Sequence, residues 1–253
     1  MIYYDFHIHS ALSPCGDEDM TPNNIVNMAK ICGLDAIAVS DHNTVKNVSA
    51  VMEVGKSLGI TVLPAMEVET EEGVHILTLY PSLSAAEEVA NAVYAALPDI
   101  KNRPEIFGQQ IIMDSNDNIT GFEEKLLISP CAISINSLFD MVTAVGGLFV
   151  PAHIDRHSYS ILTALGFMPQ DLDIKMIEIS KKTTDVSAYL ESRPELSMYK
   201  VLRNSDAHYL ENISEREEFL EIENAFDSGY SVLHCAPCTF HHTRNLALDS
   251  IEF

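Results

Sequence analysis

The stretch MIYYDFHIHSALSPCGDEDM, residues 1–20, raises the question on which the fold depends. Apolar and polar side chains alternate from Ile2 to His9, which is the two-residue period of a β-strand with two unlike faces. The polar face ends in His7 and His9, and a loop that begins with Ser10 follows. The pattern fits an edge strand with a solvated side, and it also fits half of a metal site.

The composition is that of a globular protein. The chain has 253 residues, of which 47% are hydrophobic and 21% charged, enough for one large α/β domain or two small ones. No run approaches the ~18 apolar residues of a membrane helix, and the start shows no signal-peptide pattern. Because the 5 cysteines are too scattered for a disulfide framework, we expect a protein of the reducing cytoplasm. The lack of a membrane span leads us to expect no membrane partner.

The charge is strongly acidic, with 37 acidic and 15 basic residues and a formal net charge of −22. Proteins that bind nucleic acid normally carry a basic stripe that displaces phosphate counterions, and the sequence shows none. Long nucleic acids and anionic membrane surfaces are therefore disfavoured as partners. The sequence does not indicate an oligomeric state.

Short apolar runs alternate with helical segments along most of the chain, which predicts a βα-type fold with a largely parallel sheet. Thr21 is the predicted N-cap of the first helix, Pro22 its first residue, and Gly33 lies just beyond its end. The alternation breaks down in residues 98–133, which we interpret as an insertion or cap.

Six histidines fall at or inside apolar strands: His7, His9, His42, His75, His153 and His208. Most lie where a strand gives way to a loop, and the carboxyl ends of strands are where α/β folds place their chemistry. A single histidine there is usually a hydrogen-bonded core residue. Burying six imidazoles without a shared purpose would be costly, so the set predicts one polar centre.

The spacing of these residues suits metal ions. In residues 7–9 and 206–208, two ligand-type side chains are separated by one residue, so on an extended chain they point the same way, ~6.5 Å apart. Glu67 ends a strand and could bridge two cations. Of Asp41 and His42, one could ligate while the other supports it. Imidazole and carboxylate together suit zinc, manganese or iron rather than calcium.

The segments DFHIHS, SDHN, AMEVE, GVHIL, PAHIDR and NSDAH occur in the order typical of the PHP (polymerase and histidinol phosphatase) family. The chain resembles this family over nearly its whole length, and least within residues 98–133. The resemblance implies a single domain over residues 1–253, built as a distorted (β/α)7 barrel with an insertion between the fourth and fifth strands. It also implies two or three divalent ions, of zinc, manganese or iron, at the mouth of the barrel.

The resemblance also implies a ligand set: His7, His9, His42, Glu67, His75, His153, Asp206 and His208. One position departs from the family pattern, because Pro14-Cys15-Gly16 stands where histidinol-phosphate phosphatases have a ligating histidine. Cys15 is the favoured ligand there and Asp17 the alternative. A thiolate would favour zinc or iron at that position.

By the same resemblance, Arg156 would contact a substrate phosphate, since a guanidinium matches two phosphate oxygens at once. His157, the next residue, could contact the phosphate as well. The alternatives are a surface arginine paired with Asp155 and a merely exposed histidine. The expected activity is hydrolysis of a small phosphomonoester, of nucleotide, sugar or histidinol phosphate type, by in-line attack of metal-activated hydroxide. Asp206, Arg156 and His208 are the expected catalytic residues.

Other readings stay open. The same family contains nucleases and proofreading phosphodiesterases, and its amidohydrolase relatives cleave C–N bonds. A non-catalytic metal scaffold is disfavoured because the ligand set looks complete. In the tail, Cys235 and Cys238 have CxxC spacing, but no second pair follows, so a free-thiol tail is favoured over a separate zinc site.

Overall fold

The computed structural model describes residues 1–224 and 231–236. The strands in this part are β1 (Ile2–Ile8), β2 (Ala36–Val39), β3 (Thr61–Glu69), β4 (His75–Leu79), β5 (Ile111–Met113), β6 (Ile119–Phe122), β7 (Leu148–Pro151), β8 (Met176–Glu178), β9 (Lys200–Leu202), β10 (Phe219–Asn224) and β11 (Ser231–Ala236). The helices are α1 (Pro22–Ile31), α2 (Val48–Leu58), α3 (Leu83–Ala96), α4 (Pro104–Phe107), α5 (Ile135–Ala144), α6 (Ile161–Leu165) and α7 (Val186–Glu191).

The start of α1 is fixed by local chemistry. The Thr21 side chain accepts a hydrogen bond from the backbone N–H of Asn24, and Pro22 occupies the first turn, where no N–H is needed. Gly33, with φ +75°, lies just beyond the end of the helix, in a conformation that glycine adopts without strain. The predicted cap, first residue and terminating glycine are all confirmed.

Seven strands form one sheet in the order β11-β10-β1-β2-β3-β4-β7. The pairs β1–β2 and β2–β3 are parallel, but β4 runs antiparallel to both β3 and β7. The prediction of a largely parallel sheet was therefore wrong. Residues 70–74 alone join β3 to β4, and so short a turn cannot make the crossover that a parallel pair requires.

The strands surround a common apolar interior. The strands β8 and β9 form a separate two-stranded sheet, yet Met176 of β8 and Leu202 of β9 belong to one buried cluster with Tyr4, Leu63 and Val150 of the seven-stranded sheet. The sheet is therefore curled around this cluster. The α/β class of the fold is confirmed.

A second apolar layer lies between the sheet and the first two helices. Ile25 of α1 and Val51 of α2 pack with Ile37 and Val39 of β2, and all four side chains are fully buried. Each such side chain contributes roughly 1.5–3 kcal/mol by leaving water. This layer holds β1, β2 and β3 in place, and the candidate site lies at their carboxyl ends.

Residues 98–133 contain α4 and the hairpin β5–β6, and they pack against two loops of the candidate site. The backbone N–H of Ile111 donates to the carbonyl of Ala11 at 2.9 Å, and the side-chain amide of Asn43 donates to the carbonyl of Leu127 at 2.7 Å. Gly108 approaches Pro14 so closely that an added Cβ would lie 2.7 Å from its carbonyl oxygen. The segment thus supports the loops that carry Cys15 and His42.

Two further expectations concern a membrane helix and the CxxC pair in the tail. Across residues 1–224 and 231–236, no helix combines the length and the apolar character that crossing a membrane requires. Of the CxxC pair in the tail, Cys235 lies in β11, whereas Cys238 falls outside the described residues.

Candidate metal centre

Side chains predicted as ligands meet at one end of the apolar interior. His7 and His9 lie at the carboxyl end of β1, and His153 follows the end of β7. His75 is the first residue of β4 and pairs in register with Glu69, the last residue of β3. The antiparallel direction of β4 thus places the start of that strand beside the ends of the others.

The face of β1 that points into the protein changes along the strand. Asp5, His7 and His9 are all fully buried, so β1 has no solvated face and is not an edge strand. The pairing register between β1 and β2 shifts between Asp5 and Ile8. Such irregularities re-aim side chains next to functional sites.

Glu67 is the common neighbour of the cluster, with a side chain only 1% exposed. The ring nitrogens that lie 3.0–3.4 Å from its two oxygens belong to His7, His9, His42, His75 and His153. Oε1 faces His7, His75 and His153, and Oε2 faces His9 and His42. A carboxylate placed this way can bridge two cations, as the sequence predicted for Glu67.

Three sets of ligand-type atoms are each confined within 4.8 Å. We name them the inner group (His7, His9, Glu67, Asp206), the outer group (His9, Cys15, His42, His208) and the third group (His42, Glu67, His75). The groups overlap through His9, His42 and Glu67. His153 joins them through its 3.2 Å contact with Glu67. The structure therefore brings together every residue predicted as a ligand, and their role as ligands stays a proposal.

The geometry of the nitrogens fits a divalent cation. Nε2 of His7, Nδ1 of His42 and Nδ1 of His153 are buried and have no hydrogen-bond partner. Two of these atoms lie within 3.4 Å of Glu67 oxygens without hydrogen-bond alignment, as expected when lone pairs converge on a shared point. An unsatisfied buried polar atom costs about 1–3 kcal/mol, and a cation would satisfy it. The donor set of imidazole, carboxylate and thiol suits zinc, manganese or iron.

Glu178 orients the inner group from behind. Its Oε2 lies 2.9 Å from Nδ1 of His7 and accepts from the amide of Asn204 at 2.8 Å, while its Oε1 accepts from the backbone N–H of His153 at 3.1 Å. Burial alone would raise the pKa of Glu178, but His7 lowers it below the usual value, so the carboxylate is charged. Carboxylates that hold the second nitrogen of a ligating histidine fix its tautomer and raise its basicity.

Asp41 orients His9 in a similar way, through the hydroxyl of a serine. Nδ1 of His9 lies 3.0 Å from Oγ of Ser13, which donates to Asp41 at 2.7 Å. Ser10 adds a backbone and a hydroxyl hydrogen bond to the same carboxylate, at 2.8 and 2.6 Å. Asp41 therefore supports the cluster, while its neighbour His42 lies within it. This is one of the two arrangements that the sequence allowed for the pair.

The loop that carries Asp206 and His208 is tied to β1. The carboxylate of Asp5 accepts hydrogen bonds from the backbone N–H groups of Ser205 and Ser214, at 3.1 and 2.9 Å. The fully buried Asp5 thus holds both ends of the segment that brings the two ligand-type side chains to the cluster.

Charge and burial set the protonation of the histidines. Burial alone would lower the pKa of His75, but Glu67 and Glu69 raise it to about 9. For His208, burial and the neighbouring His9 lower the pKa to about 4. Near neutral pH, His75 is therefore protonated in the absence of a cation, and His208 is neutral.

The acidic ligand candidates respond to the same surroundings. Burial opposes ionisation of Asp206, but His7 and His9 hold its pKa well below the usual range. Cys15 is exposed as a residue, but its thiol is largely shielded from water at the cluster, and this desolvation, together with the charges of Glu67 and Asp206, raises its pKa far above the usual value. A cation that binds the outer group must therefore displace a proton from the sulfur.

Backbone strain is concentrated at the cluster. In the described residues, five non-glycine residues have positive φ: Asn43, Asp117, His153, Tyr159 and Asp206. His153 and Asp206 belong to the cluster, Asn43 follows His42, and Tyr159 stacks on His75. Such conformations cost on the order of 1–3 kcal/mol each and are typical of functional sites.

The structure distinguishes the two ligand alternatives in the first loop. The sulfur of Cys15 lies with His9, His42 and His208 in the outer group. The Asp17 carboxylate instead accepts from the backbone N–H of Asp19 at 2.9 Å, within its own loop. The geometry therefore favours Cys15.

Arg156 lies at the cluster and not on the outer surface. Its Nη1 is 2.6 Å from Oδ2 of Asp206. The Asp155 carboxylate is used elsewhere, since it accepts from the backbone N–H and hydroxyl of Ser180 at 2.8 and 2.7 Å. His157 is exposed on the same loop, and among the described residues no hydrogen bond or ion pair joins it to the cluster. A phosphate contact by His157 stays a prediction.

Several residues of the centre were not found by sequence reasoning. Glu178 and Asn204 are separated from the histidines by long stretches of chain, and Ser13 and Tyr159 belong to common loop chemistry. The one available signal was Glu178 itself, the only polar residue in the run MIEI, residues 176–179. A lone carboxylate there implies a buried partner.

Two proteins of known sequence resemble parts of the chain. An uncharacterized protein of Methanocaldococcus jannaschii is 32% identical over 77 residues, which are 27% of this chain and 45% of that protein. A 5'-3' exoribonuclease of Haemophilus influenzae is 30% identical over 79 residues, which are 30% of this chain and 28% of that protein. The chain thus spans less than half the length of these relatives.

Solved structures share the fold. Endonuclease Q of Pyrococcus furiosus superposes with a TM-score of 0.63 at 20% identity, over 88% of this chain and 53% of that one. A structure of endonuclease Q with a 27-mer duplex gives 0.62 at 19% identity, over 88% and 54% of the two chains. A putative metal-dependent phosphoesterase of Bifidobacterium adolescentis gives 0.54 at 18% identity, over 81% and 87%.

These structures correct one expectation. Nucleic acid was disfavoured as a partner because the sequence lacks a basic stripe, and that inference was wrong. The fold is shared with an endonuclease bound to duplex DNA. Net charge counts the whole surface, whereas a substrate meets only the local field at the site.

The family is shown by a match to a sequence model. The model of the PHP domain matches residues 5–144, more than half of the 253 residues. The matched region includes His7, His9, His42, Glu67 and His75, and it ends before His153. The chain belongs to the PHP domain family.

Proposed function

We propose that this PHP-family chain is a metal-dependent hydrolase. Its substrates would be phosphoesters within a nucleic acid or at the terminal nucleotide of one. The observation that supports this most is the convergence of His7, His9, Glu67 and Asp206 within 4.8 Å, with the Arg156 guanidinium 2.6 Å from Asp206. A buried, strongly acidic donor set beside one arginine suits cations and a phosphate together.

The residues have distinct tasks in the proposed reaction. Divalent ions, when held by the three groups, would acidify water toward a pKa of ~7 and neutralise charge on the phosphoryl group. Arg156 would bind the non-bridging phosphate oxygens, and Asp206 would orient the attacking water through its carboxylate. The pKa of about 4 favours neutral His208, which suits a ligand better than a proton donor at pH 7.

The substrate class is drawn from the relatives. An exoribonuclease matches part of the chain, and the fold is that of a DNA-bound endonuclease. A small phosphomonoester is the second candidate, and the fold shared with a putative metal-dependent phosphoesterase supports it. A C–N hydrolase is the third, and it would not need Arg156.

The finer description of the chain is proposed on the same basis. We propose one domain over residues 1–253 with the strands closing into a (β/α)7 barrel, and residues 98–133 as an insertion between the fourth and fifth strands of that barrel, β4 and β7. The contacts of Ile111 and Leu127 with the site loops support a role for this segment in fitting the leaving group. We also propose two or three ions of zinc, manganese or iron, and a cytoplasmic location.

A substrate panel tests the function. The manganese-loaded or zinc-loaded protein is incubated with 5'-phosphorylated single-stranded RNA and DNA, duplex DNA, nucleoside monophosphates and sugar phosphates. We expect metal-dependent cleavage of the nucleic acids, lost by roughly 100-fold or more in Arg156→Met. Arg193→Met, a half-buried arginine that lies against Tyr189, is the control. Hydrolysis of the monophosphates alone would favour the second candidate.

A further inference from the structure

An exposed aromatic ring flanks the cluster on the loop that carries Arg156. The Tyr159 ring stacks on His75, with centroids 4.3 Å apart and planes at 21°. The backbone N–H of His75 donates to the Tyr159 carbonyl at 2.9 Å, so the two residues are joined twice. Half of the Tyr159 surface remains exposed, at 50%. One side of the ring is therefore fixed against the cluster while another is open.

The conformation of Tyr159 is held by the loop at a cost. Its φ of +58° is unusual for a bulky residue. The loop is tied on both sides, because Oγ of Ser160 donates to the Ile154 carbonyl at 2.7 Å and Oγ1 of Thr163 donates to the Arg156 carbonyl at 2.9 Å. A half-exposed ring gains little from burial, so apolar packing does not account for the strain.

We infer that Tyr159 is a specificity-determining residue whose open face stacks a nucleobase of the substrate beside the scissile phosphoester. This inference rests on the proposed function and names the recognition element of the same site. Arg156, three residues earlier, holds its guanidinium at Asp206, so one loop offers a positive charge to the phosphate and a flat ring to the adjoining base. Among the described residues, His75 is the only ring that stacks on Tyr159.

Stacking also answers the electrostatic difficulty of the chain. A net charge of −22 provides no general attraction to a phosphate backbone, so binding has to depend on the local field and the contacts at the site. A base that stacks on an aromatic side chain contributes about 1–3 kcal/mol without any charge, and every base has a face to offer. The site thus recognises a nucleotide locally, through one ring and one guanidinium, with no basic stripe.

The test compares Tyr159→Leu, Tyr159→Phe and the exposed-aromatic control Phe167→Leu. Each variant is assayed with manganese on two substrates. Both are 5'-phosphorylated oligonucleotides of equal length, and one lacks the base at the terminal nucleotide. We expect Tyr159→Leu to lower kcat/KM about 10-fold on the intact oligonucleotide, chiefly through KM, with a clearly smaller effect on the abasic one. Tyr159→Phe and Phe167→Leu should stay within about twofold of the wild type.

Two results would overturn the inference: an equal loss on both substrates, which indicates that Tyr159 only supports His75, or no loss on either. Metal content and circular dichroism of each variant show whether the fold is intact. If the wild type cleaves neither oligonucleotide, the proposed function fails, and binding of 2-aminopurine nucleoside 5'-monophosphate still decides on Tyr159. Fluorescence quenching by the wild type that Tyr159→Leu loses and Tyr159→Phe keeps supports the stacking, and quenching unchanged in Tyr159→Leu contradicts it.

Discussion

The inner and outer groups share His9 but differ in how firmly their other donors are held. In the inner group, His7 is fully buried, Glu67 is 1% exposed, and Glu178 fixes the far nitrogen of His7. In the outer group, Cys15 is exposed and His208 has a 26% exposed side chain. One half of the centre is built before a cation arrives, and the other half is open to solvent.

The difference indicates how the two halves should behave. A buried, preorganised donor set loses little freedom on binding, so we expect the inner group to retain its cation. The outer group must lose the thiol proton of Cys15 and order exposed side chains, so its cation should exchange more easily. The pH and the available metals would then act first on the outer group.

The largest expected effect tests what joins the halves. Glu67→Gln removes the charge that faces five imidazoles, so the variant should lose more than one equivalent of metal and roughly 1000-fold or more in kcat/KM. Elemental analysis of dialysed protein measures the metal, and oligonucleotide cleavage measures the rate. Glu71→Gln, an exposed neighbour on the turn after β3, is the matched control. Full metal content in Glu67→Gln would refute the bridging role.

A substitution in the outer group separates the two halves. In Cys15→Ser, we expect one equivalent of cation to be lost or bound about 10–100-fold more weakly, while the inner group keeps its metal. In the cobalt-substituted protein, the near-ultraviolet thiolate-to-cobalt absorption band should disappear. Cys32→Ser, a half-buried cysteine at the end of α1, is the control. A band that survives in Cys15→Ser would show that Cys15 is not a ligand.

A substitution of the residue that supports the inner group tests the other half of the centre. Glu178→Gln keeps the shape but removes the charge behind His7, and metal affinity of the inner group should fall about 10–100-fold. Competition with a metal-sensitive chelator dye measures this affinity. Glu191→Gln on α7 is exposed and serves as the control. An unchanged affinity would mean that Glu178 only satisfies the backbone of the loop after β7.

The smallest effect concerns the metal-free protein. The pKa of His75 is raised from 6.5 to about 9, so its charged contacts with Glu67 stabilise the fold fully below pH 6.5 and are lost as the pH rises through 9. Between pH 6 and 9.5, the free energy of unfolding should fall by on the order of 2 kcal/mol through this group. Urea unfolding of the chelator-treated wild type and of His75→Gln measures the difference. Parallel pH curves for the two proteins would contradict it.

Much of the fold was readable because local chemistry marks it. The alternation in β1, the Thr21 cap and the apolar runs of β2 and β3 predicted their elements correctly. The antiparallel direction of β4 was missed, because a hydrophobic run indicates that a strand is buried but not which way it runs. The short turn between β3 and β4 was the better indicator. The exclusion of nucleic acid failed for a related reason, since composition averages over a surface.

The candidate site was partly readable for the same reason. Histidines in apolar strands are costly, so their shared location could be predicted before their distances were known. Glu178 and Tyr159 could not, because their roles arise from contacts across the fold: Glu178 meets His7 over 171 residues of chain. Sequence patterns express local structure, whereas supports of this kind are set by tertiary packing.

The most direct test of the central claim is an anomalous-scattering difference map of crystals grown with manganese or zinc. The account predicts a peak bounded by His7, His9, Glu67 and Asp206, and a second, weaker peak near Cys15 and His208. A map without a peak at the inner group, at full metal supplementation and with the imidazoles in the positions described, would contradict it.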